Sequence, residues 1–450
     1  MTTAAVPANA NLDAAQWASA KGHIGLVVLG SVAAGLTLGV LLVTVAFVGA
    51  DEAEIAGGAL TALGAGFIVL ALASSRFTSQ PQRWALAPGG ASGLGGALLI
   101  ALSPGDRALE TAGWVWPLLL LLVVGWSIRG ARESLNSWSR RAVLYPSLVV
   151  LLLIALGGSF QTVSAATSSN PAPARAYLAN GHSLYLHCVG TGEPTVVLFN
   201  GLGERTPSWA WVQQRVSATT RVCAFDRAGE GWSGAGPARQ DGYQLASDLH
   251  ELLRVARVPG PYVLAGHSVG GVYALVYAKQ YPRDVAGVGL IDSATPYQFD
   301  LPDYSSFYSL GRRLYSVMPS FARVGLARLT AASQFANLPH DARRQARAFA
   351  SSPRELRADH ADFAELPTVF AQAKSLKRLD GKPLAVVTAG AGAQRGWLAA
   401  QTKLARLSRN SAQRTVVGAT HAGLLEDKGF AAITSRAITQ VVQFARSGRR

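Results

Sequence analysis

Charged residues and cysteines are scarce in this sequence. Only 15% of its 450 residues are Asp, Glu, Lys or Arg, whereas 49% are hydrophobic. So little charge beside so many apolar residues indicates a membrane portion. The two cysteines, Cys188 and Cys223, are too few for a metal cluster with the usual cysteine spacing, which excludes that class of site.

The charge that is present lies mostly in the second part of the chain. Residues 1–160 hold 8 basic and 7 acidic residues, a net charge of +1, whereas residues 161–450 hold 33 and 19, a net charge of +14. A strongly basic segment attracts anionic partners. In a membrane-tethered chain, we expect anionic lipid or an anionic polymer of the cell envelope as this partner, rather than nucleic acid.

Five apolar segments in the first 160 residues predict five transmembrane helices. They cover about residues 24–50, 55–74, 86–103, 112–128 and 142–160. The first and the last contain no charged residue, and both are long enough to span a hydrocarbon core. The third is rich in glycine, which is typical of a re-entrant or tightly packed helix. A cleavable signal peptide is not expected, because further spans follow the first.

The loops between these segments predict the membrane orientation. One side collects seven basic residues, from Lys21 to Arg141, and the other side only Arg107. The positive-inside rule then places the N-terminus in the cytoplasm and everything after the fifth span outside, in a multi-pass protein of the cell membrane. Residues 161–174 are small, hydroxylated or proline residues, and they predict a solvated linker.

From residue 175 to residue 450, apolar strand patterns alternate with helical ones, which predicts an α/β domain with a mostly parallel sheet and helices on both faces. One strand, Tyr262–Ala265, is followed by the sequence GHSVG at residues 266–270 and by a helical pattern from Val272. In that context G-x-S-x-G is a nucleophile elbow: a sharp turn that needs small neighbours and lifts the hydroxyl of Ser268 above the sheet.

Three further motifs accompany the elbow in order: NGLG at residues 200–203, DRAGEGWS at 226–233 and GATH at 418–421. Together the four motifs resemble the α/β-hydrolase superfamily, over about residues 175–450. The resemblance implies a serine hydrolase fold with backbone N–H groups of Leu202 and Val269 as the oxyanion hole. It implies no cofactor and no metal. The DRAGEGWS segment is interpreted as a structural turn.

Ser268 is the predicted nucleophile, and it needs a neighbouring base. His421 is the best-placed histidine, because it follows the last strand among small residues. His187 and His250 are expected in packing or at the surface. His267 is expected to line the pocket, because successive side chains at such a turn point apart.

The predicted acid is Asp292, which ends the strand Val285–Ile291 and gives the order Ser, Asp, His. The loop in which the family usually carries this acid, residues 391–397, contains no carboxylate. Asp292 capping its own turn is therefore an alternative, and Asp380, Glu365 and Glu426 are other candidate acids. The acid would hold the imidazole in the correct tautomer. The fold would also make the two cysteines neighbours, as a disulfide or as two buried thiols.

The segment at about 296–376 is longer than one crossover helix needs, and it resembles the helical cap of many relatives. Phe307, Leu310, Leu314 and Phe321 recur there at helical spacing, with Arg312 off that face. This helix either packs over the active site or also contacts lipid and admits an apolar substrate.

The sequence thus predicts a membrane-anchored serine hydrolase that cleaves small-molecule or lipid-like carboxylic esters through an acyl-enzyme. A binding or sensory module with this fold is the alternative, as is an acyltransferase, thioesterase or amidase. Transport by the five spans has little support, because charged residues within them are absent.

Overall fold

The computed structural model describes residues 23–135, 141–237 and 239–448. Lys21 and Arg140, on which the predicted orientation partly depends, lie outside the described residues. The chain divides into two compact units: residues up to Ala166 form the first, and most residues from Thr167 onward form the second.

The first unit is helical. Its helices are α1 (Ile24–Leu41), α2 (Glu52–Phe77), α3 (Leu86–Leu102), α4 (Asp106–Ala112), α5 (Trp116–Ser134) and α6 (Tyr145–Thr167). In the described residues four helices are long and apolar enough to cross a membrane, or five if α4 and α5, which meet at a bend of 42°, form one span. The predicted apolar helical region is therefore confirmed, and the fourth predicted segment falls on the bent pair α4 and α5.

Helix α3 is the tightly packed, glycine-rich helix that the sequence predicts. It lies against α2 through glycines on both helices. A Cβ atom on Gly64 would come within 2.6 Å of the backbone of Gly93, and one on Gly96 within 2.5 Å of the Gly57 carbonyl oxygen. Only glycine allows this close approach of two backbones, which is a common basis of helix association in membranes.

Helix α6 is longer than the predicted span. It continues through residues 161–167, which the sequence assigned to the linker. Five of these seven residues are Gln, Ser, Thr or Val and two are Ala, and none of them breaks a helix. The helix ends before Pro171 and Pro173, which disfavour its continuation. Residues 168–174 form neither helix nor strand.

The second unit contains an eight-stranded sheet in the order β1-β2-β4-β3-β5-β6-β7-β8. Its strands are β1 (Arg175–Ala179), β2 (His182–Val189), β3 (Val196–Phe199), β4 (Val222–Phe225), β5 (Tyr262–His267), β6 (Val285–Ile291), β7 (Leu384–Ala389) and β8 (Ser411–Val416). Strands β1 and β2 pair antiparallel, as do β2 and β4, and the remaining pairs are parallel. The predicted mostly parallel sheet is confirmed.

Helices cover both faces of this sheet. In chain order the helices of the second unit are α7 (Ala210–Val216), α8 (Gly242–Val255), α9 (Val269–Gln280), α10 (Tyr304–Arg323), α11 (Leu326–Ser333), α12 (His340–Ala350), α13 (Pro353–Ala373), α14 (Trp397–Ala405), α15 (Gly423–Glu426) and α16 (Lys428–Ser447). Helices α10 to α13 follow one another between β6 and β7, as the predicted cap does.

The core is split between the two faces because successive side chains of a strand point in opposite directions. Val197 and Leu264 belong to the cluster that includes α8, α9 and α13. Their neighbours Val196 and Val263 belong to the cluster that includes α7 and α16. Strands that are buried on both faces are apolar throughout, which explains why the sequence shows these strands as short continuous apolar runs.

The two cysteines lie directly opposite each other in the antiparallel ladder between β2 and β4. They form a disulfide, with their Cα atoms 4.0 Å apart. The disulfide therefore crosslinks neighbouring strands of the sheet, and of the two alternatives left open by the sequence the structure contains the disulfide.

Candidate active site

Ser268 occupies the turn between β5 and α9. Its backbone angles are φ +54° and ψ −128°, a region that residues with a side chain rarely adopt. The turn is possible because its neighbours are glycines: a Cβ atom on Gly266 would lie 2.4 Å from the Gly270 backbone, and one on Gly270 would lie 2.2 Å from the Phe199 carbonyl oxygen. The local sequence thus forces the serine into the strained conformation of an elbow.

His421 and Asp292 are brought together from two loops, one after β8 and the other after β6. The Nδ1 atom of His421 lies 2.6 Å from Oδ2 of Asp292, so its N–H donates to the carboxylate. Because Nδ1 carries that proton, Nε2 of the neutral ring is left free to accept one. Asp292 is 3% exposed, whereas about half of the His421 side chain is exposed.

The Asp292 carboxylate receives further donors. The backbone N–H of Ala389 and the indole N–H of Trp397 both donate to its Oδ1, over 3.1 and 2.8 Å. Burial alone would raise the pKa of Asp292, but the contacts with His421, Trp397 and the Ala389 N–H together outweigh burial and hold that pKa below its usual value. The carboxylate is therefore ionised, as it must be to stabilise a positive charge on the neighbouring His421 ring.

The other candidate acids lie elsewhere. Asp380 is mostly exposed and pairs with Arg378 over 2.7 Å. Glu365 lies on α13, 3.7 Å from Arg239. Glu426 lies on α15. Within the described part of the chain, Asp292 is the one carboxylate that hydrogen-bonds to the His421 ring.

Among residues 23–135, 141–237 and 239–448, no hydrogen bond joins the Ser268 hydroxyl to the His421 ring. Hydrogen bonds of this kind are often long in a substrate-free site and shorten in the complex. In the same residues, no three His, Cys, Asp or Glu side chains are grouped to hold a metal ion.

The loop after β3 passes beside the serine. A Cβ atom on Gly201 would lie 3.0 Å from Cβ of Ser268, so Leu202 immediately follows a residue in contact with the nucleophile. Val269 is the first residue of α9, and its N–H has no partner one turn earlier in the helix. Both predicted oxyanion donors thus lie on backbone that adjoins Ser268. The side-chain amide of Asn200 donates to the Phe225 carbonyl over 2.9 Å and anchors this loop.

His267 does not line a pocket, contrary to the expectation from its position beside the serine. It is fully buried. Its Nδ1 lies 2.5 Å from Oε1 of Glu204, and its Nε2 lies 3.0 Å from the carbonyl oxygen of His421. The rings of the two histidines are 4.4 Å apart. The side chain is turned inward because it is the last residue of β5 and follows the alternation of the strand.

Glu204 is a site residue that the sequence analysis missed. Its contact with His267 joins residues 63 positions apart, which no local pattern reveals. The available signal was a carboxylate placed next to the NGLG motif, one residue after Gly203. Trp397 was missed in the same way, although it stands at the end of the loop that lacks an acid.

Two buried arginines join the core to helix α13. Arg205 contacts Glu355 and Asp359, each over 2.7 Å. Arg227 contacts Glu230 over 2.7 Å and Asp362 over 2.6 Å. The three residues of α13 are spaced by four and three positions, so they lie on one face of the helix.

Asp226, in the same turn, pairs with backbone rather than with Arg227. It accepts hydrogen bonds from the N–H groups of Thr206 and Trp232, over 2.8 and 3.1 Å. The expected structural role of the DRAGEGWS turn agrees with these contacts.

Helix α10 has two apolar faces. One face packs inward, where the rings of Tyr308 and Tyr315 stack on Phe363 with centroids 5.2 and 4.6 Å away. Gly311 lies between them, and a Cβ atom there would meet the Phe363 ring at 2.3 Å. The other face is exposed and consists of Phe307, Leu310, Leu314, Met318 and Phe321.

Comparison with known proteins agrees with this architecture. The family described as alpha/beta hydrolase fold matches residues 194–427. An uncharacterized protein of Schizosaccharomyces pombe is 29% identical over 230 residues, which are 48% of this chain and 41% of that protein. The matched segments span between 16% and 43% of the length of the curated relatives.

Two solved structures are similar to this chain at low sequence identity. The structure of DBJA has a TM-score of 0.50 and is 16% identical, covering 61% of this chain and all (100%) of that one. A thermophilic esterase from Thermogutta terrifontis has a TM-score of 0.47 and is 21% identical, covering 60% of this chain and 97% of that one. With a sequence match over more than half of its residues, the chain belongs to the alpha/beta hydrolase fold family.

Proposed function

We propose that this protein is a membrane-anchored serine hydrolase that cleaves carboxylic esters through an acyl-enzyme intermediate. The observation that carries the proposal is the 2.6 Å hydrogen bond between His421 and Asp292, formed by loops at the same sheet edge as the strained serine. Such an edge is where open α/β sheets bind their ligands.

In the first half-reaction, the Ser268 hydroxyl oxygen attacks the ester carbonyl carbon while Nε2 of His421 takes the hydroxyl proton. Asp292 holds the imidazole by its Nδ1–H and stabilises the imidazolium. The N–H groups of Leu202 and Val269 would stabilise the negative oxygen of the tetrahedral intermediate, each by about 3 kcal/mol. The intermediate collapses when His421 gives its proton to the departing alcohol.

In the second half-reaction, water attacks the acyl-serine and passes a proton to His421. The second tetrahedral intermediate then releases the carboxylic acid, and the proton returns from His421 to the oxygen of Ser268. Each bond made to the acyl carbon is matched by one broken, and the histidine ends in its starting state.

The proposed placement is extracytoplasmic. The charge distribution of the loops supports it through the positive-inside rule. The disulfide between Cys188 and Cys223 supports it independently, because disulfides persist mainly on the oxidising side of the membrane. In protein taken from intact cells and denatured, reaction of both cysteines with a thiol reagent only after reduction would test this placement.

We further propose a lipid-like ester as substrate, presented at the membrane surface. The support is the exposed apolar face of α10, in which Phe307, Leu310 and Leu314 are at least half exposed. Between residues 304 and 330 the sequence has four arginines and no acidic residue. An apolar face bordered by basic residues is the pattern of helices that lie in an anionic membrane interface.

A fluorophosphonate probe tests the catalytic proposal, because it reacts with serines that a histidine activates. The full-length protein in detergent should be labelled at Ser268 and should hydrolyse short-chain esters. The Ser268→Ala variant should show neither property, and Ser217→Ala should behave like the wild type. Absence of labelling in the folded wild type would instead favour the binding or sensory module.

The substrate proposal has its own test. Leu310→Asn and Leu314→Asn, separately and together, should reduce hydrolysis of long-chain esters in vesicles containing phosphatidylglycerol and leave hydrolysis of a water-soluble ester unchanged. Arg313→Gln should weaken the vesicle reaction in low salt, by about 1 kcal/mol of binding free energy. Equal activity of all variants on vesicles would refute a lipid-contacting α10. Products from thioester, amide and alcohol-acceptor reactions would identify the alternative acyl transfers.

A further inference from the structure

The imidazole of His267 has an oxygen acceptor at each of its ring nitrogens. A carboxylate oxygen of Glu204 faces Nδ1 at 2.5 Å, and the carbonyl oxygen of His421 faces Nε2 at 3.0 Å. A carbonyl oxygen cannot donate a proton, so Nε2 must carry one. A proton must also lie between Nδ1 and the carboxylate, because two lone pairs at that distance would repel each other.

The pair therefore holds two protons on or beside the imidazole, and it is neutral overall as imidazolium and carboxylate. Burial would lower the pKa of His267, but the Glu204 carboxylate outweighs burial and raises that pKa. Burial would likewise raise the pKa of Glu204, and the charge and hydrogen bond of His267 hold it below its usual value. The hydrogen-bond geometry and the directions of the two pKa shifts thus both indicate that His267 is an imidazolium and Glu204 a carboxylate.

Glu204 uses its second oxygen for another loop contact. Its Oε2 accepts the backbone N–H of Gly201 over 2.6 Å. Gly201 precedes Leu202, the proposed oxyanion donor, and approaches Ser268. The two side chains consequently connect three segments: the loop after β3, the end of β5 and the backbone of His421.

We infer that His267 and Glu204 are positioning residues, which fix the oxyanion loop and the His421 backbone relative to Ser268. This inference rests on the proposed hydrolase function. Neither side chain would touch substrate. His267 is fully buried, and both carboxylate oxygens of Glu204 are hydrogen-bonded within the protein. Their effect would be on the alignment of the oxyanion donor and the base, where a displacement of about 1 Å costs about 10²-fold in rate.

Other titratable groups surround the pair and enter its pH dependence. His421 and Asp292 face it from the loops after β8 and β6. Glu426 faces it from α15, where burial and the Glu204 carboxylate raise the pKa of Glu426 to about 7, opposed by His267. As pH rises past that value, the new negative charge on Glu426 favours the protonated form of His267.

The sign of the pH effect follows from the raised pKa of His267. Its contribution to stability is fully present below the unfolded value of about 6.5 and is lost as pH rises through the higher folded value. Above that value one ring nitrogen would face an oxygen without a proton between them. We therefore expect an alkaline loss of kcat that belongs to this pair.

Glu204→Gln is the decisive variant, because the amide can keep every contact. Its oxygen can accept from Gly201, and its NH₂ group can donate to Nδ1 of a neutral His267 that still donates from Nε2 to His421. We expect kcat close to the wild-type value and no alkaline loss from the pair. Glu204→Ala and His267→Leu, which cannot keep the contacts, should lower kcat about 10²-fold with little change in KM.

Asp284→Ala is the matched control. It removes the carboxylate from another histidine pair, His250 and Asp284, 3.3 Å apart and remote in sequence from the three loops, and it should leave kcat unchanged. Wild-type kcat in Glu204→Ala, or a Glu204→Gln variant as impaired as Glu204→Ala, would overturn the inference. If Glu204→Ala does not fold, the kcat and pH profile of Glu204→Gln decide alone.

Fluorophosphonate labelling separates this result from the proposed function. If wild type and Ser268→Ala are labelled alike, the hydrolase proposal itself fails. If Ser268 alone is labelled and the Glu204→Ala and His267→Leu variants react as fast as wild type, the hydrolase proposal stands and only the positioning role is lost.

Discussion

Trp397 donates its indole N–H to Asp292 over 2.8 Å. Trp397 ends the loop, residues 391–397, in which the resemblance implies an acid, and this loop contains none. In this chain the loop instead supplies a donor to a carboxylate that comes from the end of the neighbouring strand β6. Strand β6 and strand β7, which precedes the loop with Trp397, are hydrogen-bonded neighbours in the sheet. An acid at the end of β6 can therefore lie beside that loop.

Trp397→Phe should shift the acid limb of kcat/KM to higher pH. The indole hydrogen bond is one of the contacts that lower the pKa of Asp292, after that of His421, so its removal raises this pKa. Because the carboxylate must be ionised to stabilise the imidazolium, activity is lost as pH falls through that pKa. A pH–rate profile measures the shift.

Trp211→Phe serves as control for that experiment. Trp211 also donates its indole N–H, to the Asn337 carbonyl over 2.9 Å, but this bond involves none of Ser268, His421 and Asp292. Its profile should coincide with that of the wild type. An unshifted profile in Trp397→Phe would contradict the assigned role.

Asp292→Asn should reduce kcat by about 10⁴-fold, because an amide can hold His421 in the wrong tautomer and cannot stabilise the imidazolium. Asp380→Asn changes a mostly exposed carboxylate that pairs with Arg378, and it should leave kcat unaltered. Steady-state hydrolysis of a short ester compares the two. A larger loss in Asp380→Asn would assign the acid to that position instead.

Loss of the disulfide should lower the free energy of unfolding of the second unit by about 4 kcal/mol. The crosslink closes a sequence separation of 35 residues. The double variant Cys188→Ser with Cys223→Ser should show an earlier denaturant midpoint than the wild type. Added reductant should move the wild-type midpoint toward that of the variant and leave the variant unchanged. A wild type indifferent to reductant would contradict a stabilising disulfide.

Breaking the buried arginine cluster should be costly. Arg205→Met removes the guanidinium group that Glu355 and Asp359 each contact over 2.7 Å, and we expect a loss of about 3–5 kcal/mol in stability. Denaturant unfolding measures it. Arg378→Met, which removes an exposed pair with Asp380, should cost less than about 1 kcal/mol. Equal midpoints for the two variants would show that the buried cluster does not stabilise the fold.

Asp362→Asn should be tolerated at neutral pH and should flatten the pH dependence of stability. Burial raises the pKa of Asp362 to about 8, against the pull of Arg227 and with the help of Glu230. The folded protein thus keeps a proton there that the unfolded chain loses near pH 4, so stability falls as pH rises from about 4 to 8. The asparagine resembles the protonated acid. A variant with the same slope as wild type would refute this protonation.

The sequence predicted the sheet well because its central strands are buried on both faces. The bounds of β6 were predicted to the residue, Val285–Ile291, and those of β5 within two residues. Strand β1 was missed, since it lies at the sheet edge and its side chains are largely exposed. An edge strand of this kind lacks the apolar run by which the others are recognised.

The site was less accessible to sequence analysis than the fold. Ser268 is recognisable from the sequence because the glycines beside it, Gly266 and Gly270, are required by the turn itself. The partners of His267 are Glu204 and the His421 carbonyl, which are distant from it in the chain. Which residues meet there depends on how the whole domain folds, so local sequence patterns do not predict these contacts. The sequence assigned residues 161–167 to the linker because small polar residues occur both in linkers and in helices. In the structure the preceding helix α6 continues through them.

The arginine contacts of helix α13 restrict how a substrate could enter. An outward movement of that helix would separate Arg205 from Glu355 and Asp359 and would leave Glu230 as its remaining buried carboxylate, a penalty of several kcal/mol per broken pair. The contacts between α10 and α13 are instead ring stacking and a close approach at Gly311, and these contacts carry no charge. Separating α10 from α13 would therefore cost less electrostatic free energy than separating α13 from Arg205.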